Sequence, residues 1–311
     1  MERIIKLSEL EQAVDHAYEQ FKSLNEGEID SRLDDVDPKA FGITVTLADG
    51  TTINKGDTKV QAPLGAIVKI PVASILLSQN APQEIVKKSG QCACQCSAAK
   101  PAEKLPKGHK GIRAVSMIQP QGDPDSKWNF IENQMINLMG SAPLLDRKLY
   151  EGLNKAAAEA GVEDSLAKAG YFLYDNGEVS IDLYNRARSM KASTEQLAMM
   201  GATIAADGVN PATKQICYDG SISERIVGMM AAKGPHKMSA PWAMLAGLPA
   251  KSSFAGSMLG IYPGVMAIAA YAPAVNAKGI SVKAAHAIMS IMNELQISVF
   301  QSASLKIDTT K

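Results

Sequence analysis

Apolar residues at Leu10, Val14, Ala17, Tyr18 and Phe21 recur at helical spacing and predict an amphipathic helix over residues 7–22. Ser8, with Glu11 three positions on, reads as its capping-box start. The period then shortens to that of strands. Residues 41–47 and 51–54, rich in Thr, Ile and Val, flank an Asp49-Gly50 turn and predict a β-hairpin. A continuous apolar segment, residues 66–77, is long enough for a buried helix. Residues 128–206 are mostly helical in pattern; two strand-like runs follow at 256–261 and 265–271, and a last Ala- and Met-rich helix starts near Ser281. This order predicts an α/β (α+β) chain in which an antiparallel sheet, built from both chain ends, is flanked by helices. A helical subdomain at about 128–206 is expected within a single domain spanning 1–311.

With 311 residues, 46% hydrophobic and 21% charged, the chain can bury a large core and is neither disordered, collagen-like nor coiled coil. Lys plus Arg and Asp plus Glu each number 32, so no global field draws nucleic acid or an anionic membrane. No apolar run approaches the roughly 18 residues of a membrane span. Residues 1–10 lack the apolar core of a signal peptide, so a soluble, cytoplasmic protein is expected. Four cysteines in this length are not a disulfide framework. Three of them, Cys92, Cys94 and Cys96, stand in a polar stretch, residues 87–111, that reads as a long exposed insertion. Period-two spacing sets the three thiols on one side of an extended chain, as a soft-metal site or a redox cluster would want. The paired Cys-x-x-Cys knuckles of structural zinc are missing, and His109 or Cys217 would have to supply a fourth ligand. A plain exposed loop is the reading this stretch favours over both.

Several stretches carry a more specific signal. They are Val36-Asp-Pro-Lys-Ala-Phe-Gly-Ile43, Met135-Ile-Asn137, Asp182-Leu-Tyr-Asn-Arg-Ala-Arg-Ser189, Gly247-Leu-Pro-Ala-Lys-Ser252 and, above all, Leu197 through Thr213 with its Met-Gly-Ala and Gly-Val-Asn-Pro-Ala-Thr blocks. Together they resemble the bacterial-type glutaminases, amide hydrolases of the serine β-lactamase and penicillin-binding-protein-like fold, over roughly residues 20–300. The resemblance implies that fold, a small amino acid such as glutamine or glutamate as ligand, a homo-dimer or tetramer, and no cofactor or metal at the site.

Amide hydrolysis at such a site needs a nucleophilic serine with a lysine one helical turn later, close enough to accept its proton. The corresponding stretch here reads Ala66-Ile67-Val68-Lys69, and no Ser, Thr or Cys stands three residues before Lys69. The resemblance makes Lys69 the proton acceptor, Tyr184 the tyrosine that assists proton transfer, and Lys251 the lysine of the strand-borne Lys-Ser motif. It assigns ligand contacts to Asn137, Glu159, Ser252 and Phe254. Backbone N–H groups at 66 and 254 would form the oxyanion hole. The pattern also departs from the family at Leu166, where an asparagine is expected, at His236, where a tyrosine is, and at Ser253 and Phe254, where a glycine and a small aliphatic are. With no serine to share, Lys69 should lie at hydrogen-bond length from Tyr184 or Ser252.

Plainer readings exist for each residue: a solvent-facing Lys69, a core Tyr184, a buried helix amide at Asn137, an edge-strand Lys251 and a loop His236. Three functions follow. The leading one is a divergent glutaminase-family protein that keeps part of an amino-acid pocket for binding, regulation or scaffolding, without serine-dependent hydrolysis. A second is an active glutaminase or amidohydrolase working through water activated by Lys69 or a borrowed thiol. A third is a structural or interaction protein that uses its cysteine-bearing insertion.

Overall fold

The computed structural model describes residues 2–88, 105–235 and 238–310. Five strands form the central antiparallel sheet: β1 Gly42–Leu47, β2 Thr52–Gly56, β3 Ala250–Ser252, β4 Ser257–Tyr262 and β5 Met266–Tyr271, in the order β2-β1-β5-β4-β3. The hairpin and the strands after Lys251 thus share one sheet, as their periodicities predict. At the hairpin tip Gly50 N–H donates to the Leu47 carbonyl at 3.0 Å, and Thr51 N–H to Asp49 Oδ1 at 2.8 Å.

Alternating side chains send the sheet's apolar residues into two cores. Ile43, Val45, Met258, Ile268 and Ala270 pack with the Leu7–Phe21 and Val282–Glu294 helices. On the other face, Leu259, Ile261, Ala267 and Ala269 meet the Thr194–Ala205 helix and the helical mass behind it. That contact is close because the facing residues are small. A methyl added at Gly201 would lie 2.4 Å from Ala267 Cβ and 2.8 Å from Leu259 Cδ1. Asn210, fully buried, then anchors the loop that follows. Its Nδ2 donates to the carbonyls of Asn137 and Leu138 at 2.9 and 3.3 Å, and its Oδ1 accepts from Ala212 and Thr213 N–H at 3.0 and 3.1 Å. The most specific block of the sequence is therefore an architectural joint. It ties the sheet to the Pro124–Met139 helix.

Three expectations change. The first helix starts directly from a strand, Glu2–Lys6, which pairs in parallel with Ser304–Asp308. Its start is held by Lys6 N–H donating to Glu9 Oε2 at 2.7 Å, so Ser8 and Glu11 already lie inside the helix. The 66–77 segment is a 3-10 turn, Gly65–Val68, that runs into the Lys69–Gln79 helix. The loop reading of residues 87–111 does not hold at either end. Lys87 and Lys88 close a helix, Pro82–Lys88, and His109–Ser116 is helical because Ile112 and Val115 reach the core. Cys92, Cys94 and Cys96 lie outside the described residues, as does His236. Among the described residues no helix is long and apolar enough to cross a membrane.

The Gly201 contact sets a signed expectation. Gly201→Ala should lower the unfolding free energy by about 1–3 kcal/mol through overpacking. Gly228→Ala, on the Ser221–Lys233 helix with nothing within 4 Å of the new methyl, should raise it by up to about 1 kcal/mol. Urea denaturation of the two variants checks both signs.

Candidate active site

The Gly65–Val68 turn packs between edge strand β3 and the Gly177–Arg188 helix that carries Tyr184. In a 3-10 turn, positions i and i+3 eclipse. Ala66 and Lys69 therefore share a side, and Lys69 N–H donates to the Ala66 carbonyl. Gly65, at φ 52°, brings the turn against the loop after β3. A methyl there would meet Ser253 Oγ at 2.6 Å and Phe254 Cδ1 at 2.9 Å. Ser253 Oγ fastens the two segments by donating to the Pro63 carbonyl at 2.7 Å. Among the described residues, the backbone N–H groups of Ala66 and Phe254 make no hydrogen bond. Two free amide donors thus stand on adjoining segments.

The charges around the turn are nearly all positive. Lys69 is half-buried, and burial together with the Arg188 guanidinium pushes its ammonium below the ordinary lysine range. Lys251, 8% exposed, donates to the Lys233 carbonyl at 3.0 Å. Burial, then the charges of Lys69 and Lys233, bring its pKa down to about 8. Burial also lowers Lys233, with Lys110 and Lys69 adding to it. Arg188 is lowered by burial and by Arg32, against the pull of Tyr184. His109 is lowered mainly by burial, with Lys110, Lys69 and Arg113 adding repulsion. The acid by Arg32 is Asp30, which already accepts two hydrogen bonds from that guanidinium, at 2.7 and 2.6 Å. Arg32 in turn lies 4.2 Å over the Phe254 ring, at the pocket wall.

Tyr184 is buried, and its ring is pressed against the His109–Ser116 helix. A methyl at Gly111 would fall 2.3 Å from its Cζ and 2.7 Å from its hydroxyl. Burial raises this phenol's pKa, which keeps it protonated, while Arg188 opposes the rise. The expected contact from Lys69 to Tyr184 or Ser252 does not form, because Lys69 hydrogen-bonds to neither. The Tyr184 ring is clasped by Gly108 and Gly111, and Ser252 Oγ is sealed in β3 with no hydrogen-bond partner among the described residues.

Other sequence candidates fall further out. Glu159 is exposed on the last turn of the Arg147–Glu159 helix and pairs with Lys155 at 3.9 Å. The buried residues there are Leu149 and Leu153, with Ala157 partly covered, and a two-residue step from Ala157 turns Glu159 roughly 200° away. It faces away from the side of that helix that packs on the core. Leu166 is a core residue at 1% exposure. Asn137 ends the Pro124–Met139 helix half-buried; its carbonyl accepts from Asn210 Nδ2 and, at 3.3 Å, from Cys217 Sγ, and its side chain bonds to none of Lys69, Tyr184 or Lys251. His109 Nδ1 sits 2.9 Å from the Pro106 carbonyl, and the ring meets Tyr171 edge-on. Arg188 and Lys233 belong to the site by electrostatics, yet nothing in their local sequence marks them.

The family model described as Glutaminase matches residues 28–300. The chain belongs to the glutaminase family. A glutaminase of Bacteroides thetaiotaomicron is 33% identical over 98% of this chain and 99% of its own length. Glutaminase 1 of Escherichia coli O157:H7 is 29% identical over 96% of this chain and 100% of its own. Among solved structures, the probable glutaminase ybaS superposes with a TM-score of 0.86 at 28% identity, covering 96% of this chain and 100% of that one. A Bacillus glutaminase shares the fold at a TM-score of 0.79 and 19% identity, covering 93% of this chain and 99% of that one. The mixed α/β architecture with its antiparallel sheet is thus that of glutaminases.

Lys251 gives this family member a pH signature. The unfolded lysine titrates near 10.5 and the folded one at about 8, so between those values the unfolded chain holds more protons and stability rises with pH. The unfolding free energy of the unaltered protein minus that of Lys251→Met should grow by about 2–3 kcal/mol from pH 7 to pH 10.5. Urea titrations across that range measure it, and a flat difference would show that Lys251 keeps an ordinary pKa.

Proposed function

We propose that this glutaminase-family chain binds a small, carboxylate-bearing ligand of the amino-acid type around Ala66, and does not cleave an amide through a serine. The observation that carries this reading is the methyl group of Ala66, eclipsed with Lys69 where a nucleophilic oxygen is needed. A methyl has no lone pair to attack a carbonyl, and losing a nucleophile forfeits on the order of 10³-fold or more in rate. The binding half of the machinery remains. The free N–H groups at 66 and 254 would cradle an oxyanion or carboxylate oxygen. Lys69 and Lys251 would provide charge, and Phe254 would narrow the wall. A homo-oligomer in the cytoplasm fits the family.

A second reading keeps hydrolysis. Relatives 29–33% identical along nearly the whole chain are called glutaminase, which supports turnover of glutamine and water to glutamate and ammonia. Lys69, with its lowered pKa, would then take a proton from water instead of from serine.

Ammonia release from glutamine separates the two. The unaltered protein should release none above background. Ala66→Ser should regain little, because Leu166 and Phe254 leave the surrounding pocket altered. Sustained release by the unaltered chain would establish the second reading.

A further inference from the structure

A cavity of about 350 Å³ opens where the segment after the first helix meets the one that leads into the last helix. Two short strands, Glu28–Ile29 and Ala274–Val275, pair antiparallel beside it. Gly27, at φ 101°, lets these segments approach closely: an added methyl would lie 2.8 Å from the Val275 carbonyl oxygen. Glu26 and Lys39 line the cavity and are exposed, so they form its rim. Ala272, Pro273 and Lys283 line it and are buried, so they form its floor, with Leu24 and Ile29 half-buried between. A largely apolar lining with a few charged groups, at this volume, is the make-up of a small-molecule site.

Lys283 sets the chemistry of that floor. It stands in the first turn of the Val282–Glu294 helix, the positive end, where the helix dipole favours an anion over a cation. One of its three N–H groups donates to the Lys22 carbonyl at 3.1 Å and so closes the end of the first helix; the Phe41 ring centre lies 5.4 Å from Nζ. Among the described residues no carboxylate pairs with it, and burial lowers its ammonium below the ordinary lysine range. An ammonium held in this way is costly unless its remaining donors find oxygens. Lys39 adds a second positive charge to the lining and Glu26 one negative charge. One positive charge is left over, which a monoanion balances and a dianion overshoots.

We propose that this cavity binds a small monocarboxylate with a short apolar body, its carboxylate on Lys283 and its hydrocarbon against Leu24, Ile29, Ala272 and Pro273. The carboxylate accepts from the N–H groups of Lys283 that Lys22 leaves unused, and the hydrocarbon takes the apolar walls out of water. A neutral amide of the same shape would leave the ammonium without a counter-charge, and an inorganic anion would leave the walls wet. The cavity shares no residue with the site around Ala66, so the proposal does not depend on whether the chain hydrolyses glutamine.

Amide NMR of the full chain, titrated with isovalerate, isovaleramide, acetate and inorganic phosphate at pH 7 and low salt, tests this. Isovalerate should shift the amides of Gly27, Ala274 and Lys283 and leave that of Ala66 in place. It should bind at least about tenfold more tightly than the other three. Lys283→Met should weaken isovalerate about tenfold or more. Isovaleramide matching isovalerate would show an apolar cleft indifferent to charge and would overturn the proposal. Acetate or phosphate matching it would show an anion site that makes no use of the walls, and would overturn it too. So would shifts centred on Ala66, or no saturable shift with any of the four. Circular dichroism shows whether Lys283→Met, which also loses the bond to Lys22, still folds; if it does not, the isovalerate-to-isovaleramide ratio and the position of the shifts on the unaltered protein decide.

Discussion

Positive charges brought together around a half-buried turn repel, and that repulsion sets the character of this molecule's site. Two unit charges about 6 Å apart at an effective dielectric of about 20 cost roughly 3 kcal/mol. Lys69, Lys233, Lys251 and Arg188 act on one another in a chain of such pairs, with burial depressing each. The same protein shows how a buried ammonium is otherwise settled. Lys127, 1% exposed, is paired with Asp175 and donates to the Ser116 carbonyl at 3.3 Å. Lys283, 5% exposed, donates to the Lys22 carbonyl at 3.1 Å and lies 5.4 Å from the Phe41 ring centre. Among the described residues Lys69 has neither kind of partner. It can relieve the strain by shedding its proton or by meeting an anion.

The rest of the fold keeps that arrangement in place. Gly201 lets the Thr194–Ala205 helix lie flat on β5 and β4, and Asn210 hooks its trailing loop to the Pro124–Met139 helix. Ser253 and Gly65 lock the loop after β3 to the 3-10 turn, and Gly111 admits the Tyr184 ring under the His109–Ser116 helix. None of these groups needs to touch a ligand, but each fixes a wall of the pocket. Ala66 asks nothing different of the backbone than a serine would, so this scaffold does not depend on which of the two stands there.

The fold was legible in the sequence wherever one periodicity ran cleanly. The hairpin with its Asp49-Gly50 tip, the paired strands after Lys251 and the Ser281-capped helix all follow from local pattern. The pairing of Glu2–Lys6 with Ser304–Asp308 did not, since it joins the two ends of the chain through charged, half-exposed strands. Lys69 and Lys251 were found through family motifs, and the structure brings them within electrostatic reach. Glu159 points to solvent because helical phase, not residue type, decides which way it faces. Arg188 and Lys233 escaped notice because each enters the site from the last turn of a helix whose other residues serve the core.

The most direct test is a titration of the lysine side chains by NMR, with label at Cε and assignment by single Lys→Arg replacement. In the free protein the Lys251 signal should titrate near pH 8, and Lys69 should titrate below the ordinary lysine range. Adding L-glutamate should move both midpoints upward as its carboxylates settle the charge. Titration of both lysines near 10.5, unmoved by the anion, would show that the pocket already holds its counter-charge and would contradict the account.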